Sequence, residues 1–239
     1  MRIPNDHWLK TKPIAHRGLW GDSVVENSMT AYKLAAKNNI PIEIDLYLTK
    51  DRHLVSFHDT TLKRMTGVDG YVWDYTLDEL KKLRLSNTDE TIPTFDEVLS
   101  IAQGRSPLLI EIKKQPYDGI VEKILERLSH FNVDFAIQSF DPRYIIRLKN
   151  LDKTVIRGIL STSDASGATK LEKFVVSKMP LNFLAKPDFV SIDYRDYPIK
   201  KSLTKKYATL AWTLTTQINY DKIKSFVDNV IYEGFEINK

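Results

Sequence analysis

Glu43 and Asp45 lie two positions apart inside an apolar run, alternating with Ile42, Ile44 and Leu46. In an extended strand, residues at i and i+2 leave the same face, so both acids point one way and the three aliphatics the other. Three further runs carry chemistry in the same manner. The run over 13–15 stops at His16-Arg17-Gly18, the run over 54–57 ends in His58-Asp59, and the run over 108–113 alternates Glu111 and Lys113 with leucine and isoleucine. A carboxylate buried in a strand costs on the order of several kcal/mol unless it is paired or bound to a cation. Taken singly, each residue has an ordinary explanation. An isolated Glu-x-Asp is the wet face of an amphipathic strand, a strand-end histidine is a hydrogen-bonding loop residue, and Glu111 and Lys113 pair with each other. Placed together at successive strand ends, they compose a site.

The donor types say what that site would do. Glu43, Asp45 and Glu111 form a hard-oxygen set suited to one divalent cation, Mg2+ or Ca2+. Zinc suits it less, because the chain has no cysteine and no histidine pair at helical spacing. Arg17 and Lys113 supply positive charge for a phosphate. His16 and His58 are the groups that gain or lose protons near neutral pH. His7, His53 and His130 read as non-catalytic. Trp212 and Phe140 also fall near strand ends, where an aromatic serves either as core or as an apolar wall for a substrate.

The elements that must position these groups alternate strand and helix. Strands are predicted at 13–15, 41–48, 54–57, 108–113, 135–140, 155–160, 189–192, 208–214 and 230–233. Helices are predicted after Asn27 or Ser28 as cap, then over 77–85, 94–102, 117–131, after Asp141-Pro142, over 170–184, 200–207 and 220–228. The break Thr49-Lys50-Asp51-Arg52 is too short for a helix, so an extended link is predicted there. Eight or nine strands over this length favour a single-domain (β/α)8 barrel covering residues 1–239, with a short helical insertion after His58-Asp59. In such a barrel the chemistry gathers where strands end and βα loops begin.

Composition bounds the class. The chain has 239 residues, a hydrophobic fraction of 42% and a charged fraction of 28%, which is ordinary for a globular protein. The absence of cysteine excludes disulfides and thiolate chemistry. The first residues show no apolar signal core, and no run approaches a membrane span of roughly 18 residues, so a cytoplasmic location is expected. No stretch reads as an amphipathic apolar helix, which argues against a bilayer substrate. The formal net charge of +4 comes from scattered basic residues. Lys200-Lys201 and Lys205-Lys206 read as a solvated helix face, so no nucleic-acid partner is expected.

The ordered segments 14–18 (IAHRG), 26–28 (ENS), 42–51 (IEIDLYLTKD), 55–59 (VSFHD), 109–113 (LIEIK) and 138–141 (QSFD) resemble the glycerophosphodiester phosphodiesterases, TIM-barrel enzymes related to bacterial phosphatidylinositol phospholipase C. The resemblance implies that His16 and His58 are the catalytic histidines and that Glu43, Asp45 and Glu111 hold the divalent metal. It implies that Arg17 and Lys113 contact the phosphate and that Trp212 lies near the glycerol pocket. The implied reaction is attack of the glycerol 2-hydroxyl on phosphorus, then hydrolysis of a cyclic phosphate to glycerol 3-phosphate, with small glycerophosphodiesters as substrates. Two rival readings are a cyclising phospholipase or lysophospholipase D, and a barrel that binds a phosphodiester without turning it over. At the C-terminus, the family's usual Gly-x-Asp-Gly and Thr-Asp-x-Pro are replaced by the segment 232–239, which leaves the leaving alcohol open.

Overall fold

The computed structural model describes residues 3–164, 167 and 169–238. Lys239 of the C-terminal segment therefore lies outside the described residues. The chain forms two compact units, Ala15–Phe135 on one hand and Met1–Ile14 with Ala136–Lys239 on the other. The first helix, α1 (Trp8–Thr11), was not expected, since one turn shows no periodicity. His7 caps it, its Nδ1 accepting the Leu9 N–H at 3.2 Å.

In the unit 15–135, β1 (Ile14–His16) leads to α2 (Met29–Lys37). Ser28 is the cap, its hydroxyl accepting the Ala31 N–H at 3.1 Å, and Ala31, Tyr32, Ala35 and Ala36 are the buried face. β2 (Ile42–Leu48) pairs in parallel with β1. Every one of its 7 residues is buried, so the wet-face reading of Glu43 and Asp45 is excluded. β3 (Leu54–Ser56) runs antiparallel to β2, with Leu46 opposite Ser56 and Leu48 opposite Leu54. This corrects the expected extended link. Arg52 adopts φ 68° and donates its N–H to Thr49 O at 2.9 Å, closing a tight turn. The second strand thus comes back along the first.

An insertion follows, holding α3 (Lys63–Thr66), a 3-10 turn at Val72–Asp74 and α4 (Leu77–Leu80). Leu62, Met65, Val72, Leu80, Leu85 and Ile92 pack against Tyr47, Val55 and Phe57, so the insertion has a core of its own. The helix predicted over 77–85 stops at Leu80, because the later leucines fill that core from turns. α5 (Phe95–Ala102) starts at Thr94, whose hydroxyl and the Glu97 carboxylate cap each other's backbone. β4 (Leu108–Ile112) pairs with β2 in parallel, and α6 (Ile120–Leu128) follows it.

The other unit continues with β5 (Phe135–Ser139), α7 (Pro142–Leu151), β6 (Arg157–Ser161), α8 (Lys170–Lys178), α9 (Asn182–Ala185), β7 (Phe189–Asp193), α10 (Lys201–Lys206), β8 (Ala208–Leu214), α11 (Gln217–Ile223) and β9 (Asn229–Tyr232). Strands β5 to β9 pair in parallel, each with the next. The helix predicted over 170–184 is broken at Met179 (φ 49°), since the residue before Pro180 is held off the helical region. Gly158 on β6 lets Phe189 of β7 pack flat against the backbone, where a Cβ would meet the ring at 2.2 Å. Among the described residues eight parallel strands alternate with helices, the order of a (β/α)8 barrel. No described helix is long and apolar enough to cross a membrane.

Candidate active site

Strand register sets the positions of the chemistry. His16 on β1 faces Glu43 on β2, and Asp45 on β2 faces Glu111 on β4. Lys113 follows β4 directly. The β2–β3 hairpin delivers the second histidine, because Phe57 N–H donates to Asp45 O at 3.0 Å and His58 is the next residue. All seven of His16, Arg17, Glu43, Asp45, His58, Glu111 and Lys113 belong to the unit 15–135. Trp212 belongs to the other unit, where its ring stands edge-on to Phe140 at 5.5 Å and its Nε1 donates to Ser191 O at 3.0 Å.

The turn after β1 is strained in a way that serves the site. Arg17 (φ 58°) and Gly18 (φ 86°) are both left-handed, and a Cβ on Gly18 would lie 2.8 Å from the Ala31 backbone. This turn aims the Arg17 N–H at Glu43 Oε2, 3.2 Å away. Asn27, also left-handed at φ 52°, donates its N–H to Arg17 O at 3.0 Å and its side-chain amide to Asp45 Oδ2 at 3.3 Å. Tyr32 in turn donates to Asn27 Oδ1 at 2.6 Å. A left-handed non-glycine residue costs on the order of 1 kcal/mol and persists where surrounding bonds over-determine it, as they do here.

Glu43, Asp45 and Glu111 each present a carboxylate oxygen within 4.8 Å of the others, and all three are buried. Burial, then the neighbouring Asp45 and Glu111 charges, push the Glu43 carboxyl well above the usual range. Asp45 takes the opposite direction. Burial would raise it, but Lys113, His58, Arg17 and His16 together hold it well below the usual range. Lys113 Nζ lies 2.8 Å from Glu111 Oε1 and 3.3 Å from Asp45 Oδ1. The second approach is a charge contact without hydrogen-bond alignment, so Asp45 Oδ1 accepts no hydrogen bond. Burial would lower the Lys113 ammonium, but Glu111 and Asp45 raise it well above its ordinary value. Three buried acids, one of them with an oxygen that accepts no hydrogen bond, fit a bound divalent cation with hard-oxygen ligands.

The histidines flank these acids. His16 Nε2 stands 3.9 Å from Glu43 Oε2, and the two imidazoles lie 6.3 Å apart, edge to face. His58 Nδ1 is 2.9 Å from Asp59 Oδ1. Asp59 is itself gripped by Arg64, which donates Nε at 2.6 Å and a terminal nitrogen at 2.9 Å. Arg64 also bonds Glu26, and Glu26 accepts from Arg17 at 2.9 Å. An unbroken series of contacts therefore runs His58, Asp59, Arg64, Glu26, Arg17. Sequence reasoning missed Asp59, Arg64 and Glu26 as site residues. Asp59 was signalled by its adjacency to His58, whereas Glu26 reads as part of a helix cap and Arg64 as a surface charge. His7, His53 and His130 take no part in this cluster.

The family model described as the glycerophosphoryl diester phosphodiesterase family matches residues 16–234. A glycerophosphodiester phosphodiesterase of Caldanaerobacter subterraneus is 37% identical over 164 residues, covering 64% of this chain and 67% of that protein. The alignments with three bacterial relatives span only 55 to 67% of those relatives' lengths. Solved structures match over greater extents. A glycerophosphodiester phosphodiesterase from Thermotoga maritima is 27% identical with a TM-score of 0.73, covering 93% of this chain and 94% of that one. An Oleispira antarctica phosphodiesterase, solved with the product sn-glycerol-3-phosphate, shares the fold at 24% identity and a TM-score of 0.76, covering 92% of each chain. With the family model matching nearly its whole length, and with the barrel order of its strands, this chain belongs to the glycerophosphoryl diester phosphodiesterase family.

Proposed function

We propose that the protein hydrolyses glycerophosphodiesters to glycerol 3-phosphate and an alcohol with the aid of one divalent cation, Mg2+ or Ca2+. The observation that carries this reading is the gathering of three buried acids, two histidines and two basic side chains in one unit of the fold. Glu43, Asp45 and Glu111 would hold the cation, whose contribution is to stabilise charge developing on the phosphate. Arg17 and Lys113 bind the non-reacting phosphate oxygens. Trp212 is assigned to the glycerol end of the substrate on the family resemblance. The Oleispira antarctica relative's product complex supports glycerol 3-phosphate as product.

One histidine takes the proton of the glycerol 2-hydroxyl as its oxygen bonds to phosphorus. The other gives a proton to the departing alcohol as its bond to phosphorus breaks. A cyclic phosphate results, and water opens it with the two roles exchanged, which returns each histidine to its first state. Asp59, held below the usual carboxylate range against the upward push of burial by His58 and Arg64, keeps the proton of His58 on Nδ1 and so leaves Nε2 to face the reaction.

The test is a panel of glycerophosphocholine, -ethanolamine, -glycerol and -inositol assayed with each metal. Turnover releasing glycerol 3-phosphate is expected, abolished by chelator and restored by Mg2+ or Ca2+. His16→Ala and His58→Ala should each fold and lose about 100-fold or more in rate. Full turnover in excess chelator, or near wild-type rates in either variant, would refute the mechanism. A cyclic phosphate that persists as the final product would assign a cyclising enzyme instead.

A further inference from the structure

The unit formed by residues 136–239 carries an apolar surface that the proposed reaction does not use. α8 has no buried residue along its whole length. Leu171 and Phe174 on α8 are 72 and 52% exposed, and Phe183 and Leu184 on α9 are 68 and 42% exposed. A helix of this length is marginal in water on its own and ordinarily earns its stability by burying one face. Val175 and Val176 are half-buried, whereas Leu171 and Phe174, at i and i+3, share another face of α8. That face is left to solvent. The apolar positions are few and broken at Met179-Pro180, so only the fold reveals them as surface.

The exposed charges on α8 and at its flank with α9 are positive. Lys170, Lys173, Lys178 and Lys186 are all exposed, and the acid among them, Glu172, is occupied in capping the backbone and hydroxyl of Thr169. Lys170 flanks the side of α8 that carries Leu171 and Phe174, Lys178 extends it at the C-terminal end, and Lys173 lies further round the helix. Large exposed apolar side chains rimmed by lysine form the pattern of a helix lying in the plane of a bilayer, with the lysines at the headgroups. A protein partner would need shape complementarity and acidic groups placed to match. An anionic membrane needs only an apolar face and positive charge beside it.

We propose that α8 and α9 form a docking surface for the anionic face of a phospholipid bilayer. The apolar side chains enter the headgroup boundary and the lysines beside them meet the lipid charge. This inference stands on exposure and charge alone and does not depend on the phosphodiesterase reading.

Co-sedimentation of the full chain with vesicles of phosphatidylglycerol and phosphatidylcholine, against vesicles of phosphatidylcholine alone, tests it. Binding to the anionic vesicles that weakens with salt is expected. Leu171→Glu combined with Phe174→Glu, and independently Phe183→Ser, should lower that binding by about tenfold or more. Circular dichroism and melting should be unchanged, since these side chains are already in water. Equal or no binding to the two vesicle types would overturn the proposal. So would anionic binding that survives both variants, which would lie elsewhere on the protein. A dimer broken by the same substitutions, without vesicle binding, would make the surface a contact between copies of the chain and overturn it as well.

Discussion

Asp59 Oδ1 stands 2.9 Å from His58 Nδ1, and the two residues are adjacent in the chain. The carboxylate therefore fixes both the ring orientation and the tautomer of the histidine it follows. Asp59→Asn keeps the shape but can present an amide N–H to Nδ1, which favours the wrong tautomer. We expect kcat to fall by about 10- to 1000-fold with KM nearly unchanged, as for other carboxylate–histidine pairs. Steady-state kinetics beside a melting curve checks this, and an unaltered kcat would remove Asp59 from the mechanism.

Arg64 bridges Asp59 and Glu26, although half of its side chain is in solvent. Through Asp59 it acts on the histidine, and through Glu26 on Arg17. Arg64→Ala should therefore lower kcat and raise KM together, while Glu26→Gln should act mainly on KM. Arg64→Lys keeps the charge but lacks the planar fork, so it should restore only part of the loss. Equal activity of the lysine variant and the wild type would show that charge alone is required.

The acid trio predicts how cations act on stability. The Glu43 carboxyl is raised in the folded state, so the folded protein binds its proton more tightly than the unfolded chain does. Without a cation, its effect favours folding below the ordinary carboxylate range near pH 4 and is lost as pH rises through the raised value. A divalent cation replaces that proton, so its stabilisation should grow with pH. At a cation concentration of 100 times Kd it contributes about 2.7 kcal/mol, or roughly 5–10 °C in Tm at this size. Calorimetry with Mg2+, Ca2+ and chelator at low and neutral pH checks it. Glu111→Gln should abolish most of the shift.

In the other unit, Gly158→Ala sets a methyl against the fully buried Phe189 ring at 2.2 Å. Overpacking of this kind costs about 1–3 kcal/mol. Chemical denaturation should show that loss, and Phe189→Leu in the same chain should recover part of it. A neutral Gly158→Ala would mean that the ring moves aside freely.

The distribution of legible and illegible features follows from what a single strand records. Glu43, Asp45 and Glu111 were readable because alternation in a strand is local, and the barrel order supplied the rest. Asp59, Arg64 and Glu26 were not, because their contacts depend on where a hairpin and an insertion bring distant segments. The reversal of β3 was hidden in Thr49-Lys50-Asp51-Arg52, where the turn rests on Arg52 adopting a left-handed conformation that its residue type does not announce. The break of the helix predicted over 170–184 was in fact written in the sequence, at Pro180, and the apolar positions on both sides obscured it.

The insertion leaves β3 after Phe57 and comes home at Pro93, whose carbonyl accepts the Ser56 N–H at 2.8 Å, with Thr94 bridged to Val55. Its two ends are stitched to neighbouring residues of one short strand. Changes of length confined to the loops after α3 leave that stitching, and the His58, Asp59 and Arg64 contacts before it, in place.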